Sequence, residues 1–144
     1  MNTAATVSHE RKLNISWKRV VLGAFLSEVV VVAVIGLIVV VHNILNGPSQ
    51  SIVQSEEFGQ LAGYYSAAPT ATLATFFFGF WAARKLETNV IANGVMVGVV
   101  ATVLTAGMIL TAKPEHRLMY IATFALRIVG GYLGGLAAQR QKRI

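Results

Sequence analysis

The chain contains neither cysteine nor aspartate in 144 residues. Without cysteine there can be no disulfide framework, thiolate nucleophile or Cys-ligated zinc or iron–sulfur centre, and the redox compartment leaves no mark on the sequence. No Walker loop, nucleophile elbow or carboxylate dyad is present either. Charge is scarce throughout: Asp, Glu, Lys and Arg make up 12% of the residues, where soluble domains carry about 25%. Hydrophobic residues reach 55% and the mean hydropathy is +0.62. That composition excludes a disordered segment or a coiled coil and fits a bilayer as solvent.

Residues 20–41 hold a single charge, Glu28. At about 1.5 Å per residue such a run is long enough to cross a hydrocarbon core roughly 30 Å thick. Its Val-rich middle does not alternate with polar residues, as a strand of a membrane barrel would, so a helix is expected. A signal peptide is not expected, because the apolar part is too long and no small-x-small cleavage site follows. Three further spans are expected over 61–83, 90–112 and 118–138. Leu86-Glu87-Thr88-Asn89 reads as a turn with Thr88 or Asn89 as N-cap, and Lys113-Pro114-Glu115-His116 as the last hairpin. The stretch from Gly47-Pro48 to about Gln60 reads as one long connection. Pro69 is expected inside a continuous, kinked helix. The alternative is a short helix over 51–66 followed by a span that starts at Pro69.

Nine of the twelve basic residues sit at one set of helix ends: Arg11, Lys12, Lys18, Arg19, Arg84, Lys85, Arg140, Lys142 and Arg143. Basic flanks stay in the cytoplasm, so both termini are expected there, with Glu56 and Glu57 outside. The expected organisation is a cytoplasmic tail over 1–16, a four-span membrane domain over 17–139 and a basic tail over 140–144. The fold class is an all-α membrane protein, a four-helix transmembrane bundle in a prokaryotic-type inner membrane.

Small residues recur at four-residue spacing, the mark of close helix contact in lipid. The second span carries Gly63, Ala67, Ala71, Thr75, Gly79 and Ala83, and the third Gly94, Gly98, Thr102 and Ala106. The fourth has two adjacent stripes, Gly130-Gly134-Ala138 and Gly131-Gly135. The similarity of residues 79–85 to 134–140 suggests two hairpins repeated in parallel about an axis along the membrane normal.

Two charges fall inside spans. Counting from the basic side, Glu28 lies about 12 Å deep and Arg127 about 16 Å, close enough for two long side chains to pair. Either one left ionised and alone costs about 3 kcal/mol on insertion scales, which favours pairing. Thr72, Thr75 and Thr102 fall at similar depth and would complete a polar layer. The segment Gly23-Ala-Phe-Leu-Ser-Glu28-Val29 locally resembles the first helix of the small multidrug resistance transporters, where an embedded Glu exchanges protons for cationic drugs. The resemblance covers seven residues and implies that role for Glu28 alone. The long outer connection and Arg127, which would neutralise the carboxylate and repel a cation, both depart from it.

His42, His116, Glu56, Glu57 and Glu115 share the outer side without ligand spacing, and no metal site is expected from them. The run Phe76-Phe77-Phe78-Gly79-Phe80-Trp81 points all round a helix, so lipid contact and packing are expected of it, and no cofactor is expected. These features lead to a non-enzymatic structural or accessory membrane protein that packs through small-residue faces. Its expected partners are the bilayer and further copies of itself or other membrane subunits, with no nucleic acid. The second expectation is a small ion- or solute-transport protein that uses Glu28 and Arg127.

Overall fold

A computed structural model describes residues 14–46, 52–111 and 114–143. Among the described residues the chain is helical, without a strand: α1 Trp17–Asn46, α2 Ile52–Ala83, α3 Val90–Thr105, α4 Gly107–Thr111, a 3-10 turn Pro114–His116, and α5 Arg117–Gln141. Three helical stretches are long and apolar enough to cross a membrane, Trp17–Asn46, Val90–Leu110 and Arg117–Gln141. The remaining long helix, α2, is diluted by Glu56, Glu57, Gln60, Pro69 and its threonines. It packs against α1, α3 and α5, so it has the least need of an apolar surface all round.

The contacts fix the directions of the helices. Val31 of α1 packs on Ala71 and Ala74 of α2, and Val39 reaches Gly59, so these two helices are antiparallel. Val20 and Ala24 cluster with Val97 and Ala101, so α3 runs alongside α1. Gly130 faces Thr72 and Thr75 while Gly134 faces Phe76 and Phe80, which makes α5 parallel to α2. The helices therefore alternate in direction, and the basic ends of α1, α2 and α5 meet at one end of the molecule. Helices α2 and α3 form the central pair, with α1 on one side and α5 on the other.

Glycine sets the spacing of α5. A Cβ on Gly94 would stand 2.5 Å from the Gly131 carbonyl oxygen and 2.7 Å from Gly135 Cα, and one on Gly79 would stand 3.1 Å from Gly131 Cα. Gly98 faces the backbone of Arg127 and Ile128. The two stripes of α5 divide the work, one lying on α2 and the other on α3. Of the glycines expected at contacts, Gly63 is the exception: nothing would lie within 4 Å of its Cβ.

Two features differ from the sequence reading, and two agree with it. Helix α2 starts at Ile52, so most of the expected connection is helix. Glu and Gln are good helix formers, and a hydropathy scan cannot count them as part of a span. Pro69 lies inside this one continuous helix. The expected third span is interrupted at one residue: the Ala106 N–H turns to Val103 O at 3.3 Å instead of continuing the ladder, and the helix resumes as α4 at Gly107. Asn89 is the N-cap of α3, in the left-handed region at φ 53°, with no capping bond from its side chain.

Asn93, fully buried, joins this turn to the start of α1. Its Oδ1 accepts the Ser16 N–H at 2.7 Å, and its Nδ2 donates to Asn89 O at 2.9 Å and Asn14 O at 3.2 Å.

Gly94→Ala is expected to destabilise the protein by about 1–3 kcal/mol, because backbone on the facing helix cannot yield as a side chain can. Gly36→Ala, where a Cβ meets nothing within 4 Å, is expected to be neutral or slightly stabilising. Unfolding of both variants in mild detergent checks the contrast; equal stabilities would show that α5 does not depend on close approach.

Candidate functional site

Arg127 projects from the middle of α5, one turn before Gly130 and Gly131, and is only 4% exposed. So deep a guanidinium needs its hydrogens placed. Nη2 donates to Glu28 Oε2 at 3.1 Å, and Nη1 lies 3.0 Å from Glu28 Oε1. The two hydrogens of Nη1 go elsewhere, to Ala101 O at 3.2 Å and to Thr105 Oγ1. Its approach to Oε1 is therefore an electrostatic contact without an aligned hydrogen bond, and Oε1 has no hydrogen-bond donor. Arg127 Nε has no partner either. The Phe124 ring lies 5.9 Å from the guanidinium carbon, within range of a cation–π contact.

Both acceptors on α3 lie in its last turn or so. Thr105 is the last residue of α3, and its hydroxyl donates to Ala101 O at 3.0 Å while receiving Nη1. Ala101 O thus accepts from Arg127 and Thr105 together, at the turn before the ladder lapses.

The structure distributes the site candidates unevenly. It brings Glu28 and Arg127 together across α1 and α5. It turns the three threonines to other uses. Thr72 donates to Ala68 O at 2.8 Å and Thr75 to Ala71 O at 2.8 Å, both within α2, and Thr102 reaches Phe124 O at 3.5 Å. The hydroxyls beside the ion pair are Thr105 and Thr123, which depth counting did not select. Thr105 is one turn beyond Thr102 on the same face toward α5, in the direction that the Arg127 side chain leans, toward the start of its own helix, and a depth counted to the Cα leaves that lean out.

Above the pair, away from the basic end, lies a cavity of about 800 Å³. Glu28, Thr105 and Arg127 lie at its inner end. Val31, Val32 and Ile35 line it from α1, Met108 from α4, and Met119 from α5, with Tyr64, Tyr120 and Thr123 adding polar groups to the walls. Glu57 and His116 belong to its outer part. The volume falls in the ordinary range for small-molecule sites, as does the lining, mostly apolar with a few polar groups. Gly63 lines this space, which accounts for its open Cβ position.

The two histidines at the end of the bundle away from the basic residues are held by separate rings. His42 stacks on Phe58 with centroids 3.4 Å apart and planes 7° from parallel, and His116 sits 5.0 Å from Tyr64. Among the described residues no three His, Cys, Asp or Glu side chains gather as a metal site.

Glu28→Gln or Arg127→Leu alone is expected to cost about 3 kcal/mol, since each leaves the other partner buried without its counter-charge. Glu28→Gln combined with Arg127→Gln is expected to recover more than half of that loss. Chemical unfolding of the single and double variants measures the coupling, and strictly additive losses would mean the pair contributes none. Comparison with protein-family models, curated proteins and solved structures yields no match.

Proposed function

We propose that the chain is a four-span protein of a bacterial-type inner membrane, both termini in the cytoplasm, whose cleft opens outward and binds a small solute for uptake, export or sensing. The carrying observation is the cavity of about 800 Å³ that ends on a buried ion pair. A carboxylate and a guanidinium embedded in lipid are costly to place, and a water-reachable cleft over them gives the expense a use.

The accessory-subunit reading loses its support at the glycines. It needed small-residue faces free to dock on other membrane subunits, yet Gly79, Gly94, Gly98, Gly130, Gly131, Gly134 and Gly135 all face backbone within this chain. The membrane reading itself rests on the three apolar helices and on the gathering of basic residues at one end of the bundle. Helix α2 is the fourth span, its polar start extending past the hydrocarbon on the outer side. No enzymatic chemistry is assigned to the cleft.

The absence of cysteine makes the test direct. A reporter fused after Ile144 is expected to be active only in its cytoplasmic form. In intact cells, a membrane-impermeant maleimide is expected to label Glu56→Cys and Thr123→Cys and to spare Arg84→Cys until the cells are opened. Labelling of Glu56→Cys without Thr123→Cys would show that the cleft is closed to outside water and would sink the solute-binding reading.

A further inference from the structure

The groups around the ion pair are not equivalent. Arg127 keeps much of its support without Glu28: Ala101 O, Thr105 Oγ1 and the Phe124 ring all belong to α3 and α5. Glu28 is held by Arg127 alone among the contacts on its carboxylate, and its side chain is 17% exposed against 5% for Arg127. The guanidinium also has unused capacity. Nε is unpartnered, and Nη2 gives Glu28 Oε2 one of its two hydrogens. That Nε–Nη2 edge is the two-donor fork that receives carboxylates and phosphates side-on. One residue is therefore a fixed receptor for an oxyanion with its side-on edge open, and the other a carboxylate seated on the remaining Nη1–Nη2 end.

Resting on the solute-binding reading above, we propose that the cleft takes a singly charged amphiphile, a carboxylate or phosphate oxyanion on an apolar tail, which seats on the open Nε–Nη2 edge and replaces Glu28 as the counter-charge of Arg127 as Glu28 takes up a proton. The tail lies along Val31, Val32, Ile35, Met108 and Met119. The proton follows from charge balance. The resting pair is neutral, and bringing in an anion while Glu28 stays ionised would leave one uncompensated negative charge in a buried site. One proton from solution makes the Glu28 carboxyl neutral, no covalent bond changes in the ligand, and the guanidinium and the anion remain as the only ion pair. The neutral carboxyl then becomes a hydrogen-bond donor where before it could only accept.

The other titratable groups of the cleft are Glu57 and Tyr64 on α2, Tyr65 beside them, and His116 and Tyr120 at the start of α5. Glu57 lies at least ten residues from the level of the pair along α2, about 15 Å or more, a separation at which exposed charges are largely screened. From α3 the cleft receives only Thr105, which does not titrate.

The probe is octanoate, titrated calorimetrically at pH 7 into the full chain in phosphatidylcholine nanodiscs, in two buffers of different ionisation enthalpy. Expected are saturable binding and uptake of about one proton per octanoate by the wild type. Glu28→Gln, which removes the resident negative charge, is expected to bind at least about tenfold tighter with no proton uptake at that site, since no carboxylate has to be neutralised before the anion can enter. Arg127→Gln is expected not to bind. Phosphatidylglycerol in the nanodisc separates the sources: competition with octanoate identifies a lipid headgroup as the natural anion, and its absence identifies a free amphiphile.

Binding by the wild type without proton uptake overturns the exchange. So does loss of binding in a folded Glu28→Gln. If that variant does not fold, the wild-type proton count decides alone. Octanoate that fails to bind while Thr123→Cys is still labelled from outside overturns the ligand class and leaves the outward cleft standing.

Discussion

The guanidinium of Arg127 constrains more of this molecule than any other group. A buried cation has to find acceptors, and helices offer few, because their carbonyls are already engaged. The answer here is a second bond on an engaged carbonyl and a threonine hydroxyl beside it. Helix α3 presents Ala101 O and the Thr105 hydroxyl together and then lapses at Ala106, and Gly107 follows as a residue with little helical preference. The expected third span is interrupted one residue past the arginine's acceptors. Glu28 completes the set from the other side of the bundle, which ties α1 to α5, the two helices that the α2–α3 pair keeps apart.

Glycine makes that geometry reachable. An arginine side chain has a fixed reach, so the distance of its own backbone from α3 decides which acceptors it meets. Gly98 lets the Arg127 carbonyl and Ile128 Cα, the latter 2.8 Å from where a Cβ would stand, come up against α3. The guanidinium is thereby carried to Ala101 and Thr105, a turn or two farther along. On the other face of α5, Gly130 and Gly134 settle against Thr72 and Phe76, and the hydroxyls of Thr72 and Thr75 turn back to carbonyls of their own helix. Threonine at these positions serves close packing, since a hydroxyl bonded to the preceding turn presents little more to its neighbour than a methyl group.

How much of this could be read in the sequence depends on which physical signal carried it. The apolar runs and the turn residues at 86–89 showed where most of the long helices lie, because length and hydropathy are properties of a segment. The matched depths of Glu28 and Arg127 needed only the rise per residue and the cost of a lone charge. A depth counted to the Cα leaves out the lean of a long side chain toward the start of its helix, however, and Thr102 was preferred to Thr105 on that count. The start of α2 at Ile52 was hidden because Glu and Gln favour a helix while reading as loop on a polarity scale. Asn93 could not be singled out, since its three hydrogen bonds involve Asn14, Ser16 and Asn89, and the first two of these residues approach it only in the folded bundle. The cleft is least legible of all, being a place where α1 and α5 fail to meet, and no residue pattern encodes an absence of contact.

That gap bears on what the bundle can do. On the basic side of the ion pair, α1, α2 and α3 close over Val20, Ala24, Ala82, Val97 and Ala101, all without exposed surface. On the other side α1 keeps its contact with α2 through Val31 and Val39, while the space toward α5 is the cavity. The pair stands at the boundary between a packed half and an open half. Backbone-to-backbone glycine contacts hold α5 against α2 and α3, whereas α1 meets its neighbours through side chains, Gly23 being its one glycine with neighbouring atoms within 4 Å. Side-chain packing can rearrange by rotamer changes, but interlocked backbones must separate as rigid bodies. Of the two helices joined by the ion pair, α1 is therefore the one freer to shift when Glu28 lets go, and α5 is the one that keeps Arg127 in place.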